Sequence, residues 1–207
     1  MKAIAVTSLA ALALAAGAFW LLRAPSGADE AAPVALAVAG VPLHIDPRLA
    51  RVRADLSNRA LEELDLVAAM PDLAPAGGKA SAIALERLVF LTLRRKDDKV
   101  EPRDKPVLLY ARFLDPVVEA HPAGLILRRF EPGSPYDREV LYMTPPEGRA
   151  FWARCTPAGQ AQAIPATCLS EARIGGLDIR LRFAPEALAE WEALTAGVVR
   201  LVEGMGR

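Results

Sequence analysis

The chain has 207 residues, of which 25 are basic and 25 acidic, so its formal net charge is zero. That length suits one ordinary domain, and the charge balance argues against a protein that coats nucleic acid, which normally carries a basic excess. Because 53% of the residues are apolar, the composition excludes an acidic disordered chain. Two cysteines are too few for a disulfide-dense miniature scaffold.

An uncharged apolar run, Ala3 to Leu22, lies near the N-terminus and is long enough to cross a bilayer as a helix. We interpret residues 1–23 as a membrane anchor or a signal peptide, and we favour a retained single-pass anchor. Cleavage after Ala28, which the small flanking residues would permit, is the alternative. The positive charge of Lys2 favours a cytoplasmic N-terminus in the inner membrane and a periplasmic location for the rest of the chain.

The part of the chain that follows is predicted to be one exported domain. Residues 24–33 are small, polar and flanked by proline, as in a linker, and we assign residues 34–207 to the domain. Cys155 and Cys168 flank a proline-containing loop, so in an oxidising compartment we expect a structural disulfide, and two buried free thiols are the alternative. Without the first 28 residues the chain has 23 basic and 25 acidic residues, a faintly acidic balance.

The first third of the domain mixes strand and helix signals. Val34 to Ile45 is apolar and contains a glycine and a proline, which predicts an early strand with a bulge or break. The Asp46-Pro47 pair then predicts the start of a helix that extends to about Ser57. Leu61 to Met70 fits either a helix or a strand, and we favour a strand because Pro71 ends the segment abruptly.

The middle of the domain is predicted to be an antiparallel meander. The apolar runs Arg87 to Arg94 and Val107 to Leu114 would pair across a charged, solvated loop. Leu125 to Phe130 and Glu139 to Met143 would form a second pair, because the connection between them is dense in turn residues. Phe151 to Cys155 would continue the same meander.

The C-terminal third carries the clearest signals in the chain. Leu177 to Phe183 alternates apolar and polar residues, which predicts a strand with one buried and one wet face. Pro185 suits the first turn of a final helix, and apolar residues recur from Leu188 to Met205 at helical spacing. We therefore predict an α+β fold, a mainly antiparallel sheet packed by a C-terminal helix and preceded by an N-terminal transmembrane or signal helix.

Sequence motifs for chemistry are absent from the chain. It contains no phosphate-binding loop, zinc-protease motif or nucleophile elbow. His121 or His44 could act as a general base, and a triad of Ser134, His121 and Asp115 can be written down, but no spacing requires these residues to meet. We therefore predict no catalytic, cofactor or metal residue. The leading hypothesis is a non-enzymatic binding or accessory protein, and the alternative is a small exported hydrolase that uses His121 or His44.

Two stretches of the chain resemble known proteins. Gly124 to Tyr136 and Phe151 to Cys155, followed by Cys168, the terminal strand and the tryptophan-bearing helix, resemble a group of uncharacterised, singly anchored bacterial envelope proteins. The resemblance covers about residues 60–205. It implies an inner-membrane anchor with the domain outside the cytoplasm, and it implies no activity. The membrane and another envelope protein are therefore the expected partners, and nucleic acid is not.

Overall fold

The computed structural model describes residues 32–156 and 166–207. The predicted anchor or signal segment, residues 1–23, and nearly all of the predicted linker lie outside these ranges, so both stay predictions. Within the described ranges, no helix is long and apolar enough to cross a membrane.

Two sheets form the framework of the described part of the chain. The strands in chain order are β1 (Val34–Val38), β2 (Val41–Ile45), β3 (Ala60–Leu61), β4 (Glu63–Ala69), β5 (Ala74–Pro75), β6 (Leu88–Arg95), β7 (Leu114–His121), β8 (Leu125–Phe130), β9 (Val140–Met143), β10 (Trp152–Cys155), β11 (Cys168–Ile174) and β12 (Leu177–Phe183). The large sheet has the order β5-β4-β6-β12-β11-β10-β9-β8-β7, and the small sheet has the order β2-β1-β3. All neighbours in the large sheet are antiparallel, as predicted.

The early apolar stretch forms a hairpin and not one interrupted strand. β1 and β2 pair antiparallel and are joined at Ala39 and Gly40. Both of these residues have positive φ, 47° and 85°. This conformation is typical of the tight turns whose twist matches that of the flanking strands. The glycine therefore marks a chain reversal, and β1 also pairs in parallel with β3.

The helix predicted after β2 is wrong. The segment is a series of turns with one short 3-10 helix, Arg53–Ser57. The Asp46 carboxylate accepts a hydrogen bond from the backbone N–H of Arg48 at 2.8 Å, which stabilises a turn instead of a helix start. The backbone carbonyl of Leu49 accepts a hydrogen bond from the N–H of Val67 in β4 at 2.7 Å. This segment therefore hydrogen-bonds to β4 instead of forming the helix that the spacing of its apolar residues predicts.

The predicted strands Leu61 to Met70 and Arg87 to Arg94 are confirmed as β4 and β6, and the predicted strand Val107 to Leu114 is wrong. Leu61 to Met70 contains β4, which pairs with β6 along its whole length. The run Val107 to Leu114 instead forms two short helices, Pro106–Tyr110 and Ala111–Phe113, and β7 begins only at its last residue. Proline at the first position favours the helical turn because its φ is already suitable. β6 therefore pairs with β4 and β12 and not with this run.

The later strand predictions are confirmed, with one correction to the burial pattern. β8, β9 and β10 are consecutive antiparallel neighbours, and β12 pairs with β11 and β6. The face of β12 that was predicted to be wet includes Asp178, which is only 1% exposed. An ion pair between Asp178 and Arg173 on β11, at 2.7 Å, compensates the carboxylate for its burial.

The C-terminal helix packs on the large sheet, which confirms the predicted α+β class. Helix α1 (Trp191–Met205) follows a 3-10 turn over Pro185–Glu190. Its buried residue Leu194 belongs to one core cluster together with Ile45 of the small sheet and Leu91 and Ile179 of the large sheet. We call the sheet face that carries Leu91 and Ile179 the core face.

Candidate functional site

The opposite face of the large sheet carries polar side chains. Asp65, Thr92, Arg180 and Glu171 lie side by side in register on β4, β6, β12 and β11. Directly opposed residues of a sheet project to the same side, so these four share the face opposite to the core. We call it the polar face. The Thr92 hydroxyl donates a hydrogen bond to Asp65 at 2.7 Å.

A buried carboxylate lies at the centre of the polar face and is surrounded by cations. The side chain of Glu171 is only 6% exposed. Arg94 Nη2 lies 3.1 Å from Glu171 Oε1, and Arg180 Nε lies 3.5 Å from the same oxygen. The Lys105 ammonium donates to the other oxygen, Oε2. One carboxylate is thus shared by three positively charged side chains.

A second buried carboxylate on this face is fully engaged. Asp178 accepts a hydrogen bond from Arg173 Nε at 2.7 Å and another from the backbone N–H of Asp97 at 2.8 Å. The hydrogen bond to Asp178 raises the pKa of the Arg173 guanidinium. Arg173 also donates to the backbone carbonyl of Asp97 at 2.6 Å. This pair fixes the loop after β6 against the sheet and leaves little of either group for a reaction.

An aromatic cluster covers the polar face near β9 and β10. The Tyr110 ring makes edge contacts with Tyr136 and Trp152 at centroid distances of 5.3 and 5.5 Å. The Arg154 guanidinium lies 4.5 Å from the Tyr136 ring centroid. Burial raises the pKa of the Tyr110 hydroxyl to about 12. The indole N–H of Trp152 donates to the Pro102 carbonyl at 2.8 Å, which anchors the segment before the two short helices.

The structure does not assemble the triad written from the sequence. His121 and Asp115 lie at opposite ends of β7, and six residues of strand separate two positions by about 20 Å. Ser134 follows β8, which runs back toward the Asp115 end. The His121 ring instead contacts the Tyr142 ring at a centroid distance of 4.7 Å. His44 is exposed on β2 in the other sheet. Ser134, His121 and Asp115 therefore do not form a triad.

The segment that leads into β7, and β7 itself, expose apolar side chains. Val107, Leu108, Val117 and Val118 account for four of the six large apolar residues that are markedly exposed in the described part of the chain. Leu108 and Val117 are 60% and 61% exposed. We call these four residues the apolar edge. The sequence prediction missed Val107 and Leu108 because the run Val107 to Leu114 was interpreted as a strand that pairs with Arg87 to Arg94.

β7 is also the last strand of the large sheet, and its two halves differ. In the first half, the Asp115 carboxylate accepts the N–H of Val117 at 2.8 Å, the Asp115 carbonyl accepts the Arg128 guanidinium at 2.6 Å, and Pro116 has no N–H. Such features commonly protect a sheet edge. Within the described ranges no strand pairs with the outer side of the second half, Val118 to His121, and we call this half the unprotected edge. Its one acidic residue, Glu119, pairs with Arg129 at 3.0 Å.

A cavity of about 380 Å³ lies beside β11 and α1. Its lining includes the apolar side chains of Phe151, Leu181 and Val198 and the hydroxyl-bearing residues Ser170 and Thr195. The Thr195 hydroxyl donates to the Trp191 carbonyl at 2.8 Å. Among the residues that the structure describes, no group of three or more histidine, cysteine, aspartate or glutamate side chains could hold a metal ion.

The predicted disulfide between Cys155 and Cys168 is confirmed. The two residues face each other in register on β10 and β11. Both cysteines are buried in the core cluster. The bridge therefore joins two adjacent strands on the core face, and it closes the connection whose residues 157–165 lie outside the described ranges.

Comparison with known proteins finds a similar fold but no family. No protein-family model and no curated protein matches the chain. The solved immunity protein Smlt3025 of the Stenotrophomonas maltophilia type IV secretion system is similar, with a TM-score of 0.59, 13% identity and coverage of 84% of this chain and 93% of its own. The iron-regulated outer membrane lipoprotein FrpD of Neisseria meningitidis is 10% identical, with a TM-score of 0.49 and coverage of 85% and 93%. The similarity to the immunity protein shows a shared fold.

Proposed function

We propose that this protein is a membrane-anchored, extracytoplasmic protein of the cell envelope that acts by binding another protein. The observation that carries the proposal is the apolar edge next to an unprotected sheet edge. Exposed apolar side chains that cluster in one segment are typical of protein interaction sites. The shared fold with an immunity protein supports a role in binding over a role in catalysis.

The unprotected half of β7 offers a specific way to bind. A partner segment in extended conformation can add to a sheet edge through backbone hydrogen bonds, and neighbouring side chains then determine its specificity. Val118 is 53% exposed and belongs both to the apolar edge and to the unprotected half. We infer that Val118 lies at the centre of the interface and that Val117 and Leu108 extend it.

The periplasmic location is supported by two independent features of the chain. The cysteine pair forms a disulfide, and such bonds persist mainly in oxidising compartments. The uncharged run Ala3 to Leu22 is long enough to span a bilayer, so we propose a single-pass inner-membrane anchor with the domain in the periplasm. Protease added to spheroplasts should digest the domain, and the N-terminal sequence of the cell-associated protein should retain Met1. Protection of the domain from the protease would contradict export. A cell-associated chain that begins at Asp29 would show that the segment is cleaved and not retained as an anchor.

Site-specific photocrosslinking in cells tests the binding proposal. A photoreactive amino acid replaces Val118 on β7 or, as a matched control, Ala74 on β5, which is the opposite edge of the same sheet. Both positions are exposed. We expect one discrete protein adduct at position 118 and none at position 74. Equal adducts at both positions, or none at position 118 under conditions in which the protein is normally produced, would overturn the proposal.

A further inference from the structure

The cation cluster around Glu171 has more hydrogen-bond donors than acceptors. A lysine and two arginines present up to about thirteen N–H donors, whereas one carboxylate offers about four lone-pair positions. Arg180 has Glu171 as its only ion-pair partner in the described part of the chain, at 3.5 Å. The Nε atoms of both Arg94 and Arg180 are buried and have no hydrogen-bond acceptor there. Buried donors of this kind are costly unless an acceptor reaches them or their neighbours.

The buried groups of this cluster also carry an excess of positive charge. Arg94, Lys105 and Arg180 carry three positive charges in contact with the single negative charge of Glu171. The other buried carboxylate, Asp178, is engaged by Arg173. Among the other acidic groups of this face, Glu139 pairs with Arg154 at 2.9 Å, and β4 contributes Glu63, which lies opposite Arg94 in register, and Asp65. Glu63 is exposed, and Asp65 pairs with Arg51 and Thr92.

The two arginines remain accessible from the polar face. The side chains of Arg94 and Arg180 are 26% and 28% exposed, whereas that of Glu171 is 6% exposed. The two arginine side chains are therefore more exposed than the carboxylate that they share. Planar guanidinium groups bind carboxylate and phosphate oxygens in pairs of parallel hydrogen bonds, so their geometry suits an oxyanion in particular.

We propose that Arg94 and Arg180, supported by Lys105, form a binding site for an oxyanion, either a phosphate or a carboxylate group. Glu171 positions the three cations and partly neutralises them, so that they remain close together without a ligand. The bound oxyanion provides the acceptors that the cluster lacks. This site lies on the polar face and does not depend on the binding role of the apolar edge.

Titration with small oxyanions tests the site directly. The full chain in maltoside micelles, which carry no anionic groups, is titrated with inorganic phosphate and, separately, with acetate, while sodium chloride keeps the ionic strength constant. The readout is the NMR shift of the arginine Nε–H signals. We expect saturable shifts of the Arg94 and Arg180 signals with at least one probe. Saturation with phosphate alone assigns the site to phosphate groups, and saturation with acetate assigns it to carboxylates. Shifts that saturate with neither probe would overturn the proposal.

Matched variants separate a specific site from a generally basic face. Arg180→Gln should weaken binding of the effective probe at least about tenfold, because one arginine fork is lost. Arg182→Gln removes an exposed arginine two residues further along the same strand and should change the affinity less than about twofold. Equal weakening by both substitutions would contradict the proposal.

Glu171→Gln tests how far the internal carboxylate competes with a bound oxyanion. The substitution removes the internal competitor for the three cations, so binding of the effective probe should become about threefold tighter or more. The thermal midpoint of this variant should also rise more with the probe than that of the unsubstituted protein. A variant whose midpoint responds equally to chloride and to the probe at equal ionic strength would count against an oxyanion site.

Discussion

The two faces of the large sheet are stabilised by different physical means. On the core face, Leu91 and Ile179 are fully buried against helix α1 and the small sheet. Apolar burial of this kind is strong but has no direction. On the polar face, Glu171 and Asp178 are buried with cations, an arrangement that depends on the orientation of each donor. The core face therefore stabilises the fold without directional contacts, whereas the polar face presents charged groups in fixed orientations.

The largest expected loss of stability is on the core face. Leu194 is fully buried at the contact between α1 and the sheet. Leu194→Ala should lower the free energy of unfolding by about 3 to 5 kcal/mol, through lost burial and the remaining cavity. Chemical denaturation monitored by circular dichroism measures the change. A loss below about 1 kcal/mol would contradict the assignment of α1 to the core.

Removal of the disulfide should lower the free energy of unfolding nearly as much as Leu194→Ala. The bridge closes a loop between residues 13 positions apart, which is worth roughly 3 kcal/mol in a chain-entropy description. The double substitution Cys155→Ala and Cys168→Ala should therefore lower the free energy of unfolding by about 2 to 3 kcal/mol. Denaturation of the oxidised protein, the reduced protein and the double variant provides the comparison. Equal stability of all three would show that the bridge has no stabilising role.

Loss of the central carboxylate of the polar face should have a smaller effect. Glu171→Gln leaves three cations without a countercharge, but two of them are about one-quarter exposed and partly solvated. We expect a loss of about 2 kcal/mol, less than for a fully buried pair. The control is Glu62→Gln, which breaks an exposed pair with Arg95 and should cost less than about 0.5 kcal/mol. Equal losses in the two variants would remove the distinction between buried and exposed charge in this protein.

The smallest expected effect is a loss of stability at alkaline pH that arises from the aromatic cluster. It has little influence on stability near neutral pH. Burial raises the pKa of Tyr110 from its usual 10.0 to about 12 in the folded protein. The folded state therefore favours the neutral phenol. The stability that this preference contributes is fully present below about pH 10 and is lost as the pH rises toward about 12. Tyrosinate absorbance should show a late titration step that Tyr110→Phe removes. Persistence of that step in the variant would assign it to another tyrosine.

Sequence periodicity correctly predicted the segments whose apolar residues recur at one clear spacing. Leu177 to Phe183 alternates strictly, and the C-terminal helix has a regular apolar stripe, so the local pattern predicts both element types, although Asp178 on the predicted wet face is buried. The helix predicted after β2 is wrong because the Asp46 side chain stabilises a turn and the backbone that follows it hydrogen-bonds to β4. The run Val107 to Leu114 failed because apolarity alone cannot distinguish a buried strand from short helices that pack on a sheet face.

The candidate sites were less predictable than the fold, since they depend on register. Glu171 and Arg180 are nine residues apart in sequence, and only the antiparallel pairing of β11 with β12 places them opposite each other. Lys105 approaches the same carboxylate from a distant segment. The apolar edge did have a local signal, because Pro116 next to two valines is typical of an edge strand.

The most direct test of the central claim is the affinity for the protein that crosslinks at position 118. The dissociation constant of that protein is measured with the unsubstituted chain, with Val118→Ser and with Val52→Ser. Val52 is 51% exposed but lies outside the apolar edge, so it provides a matched control. We expect Val118→Ser to weaken binding at least about tenfold and Val52→Ser to leave it unchanged. Equal affinity of all three proteins would contradict binding at the β7 edge.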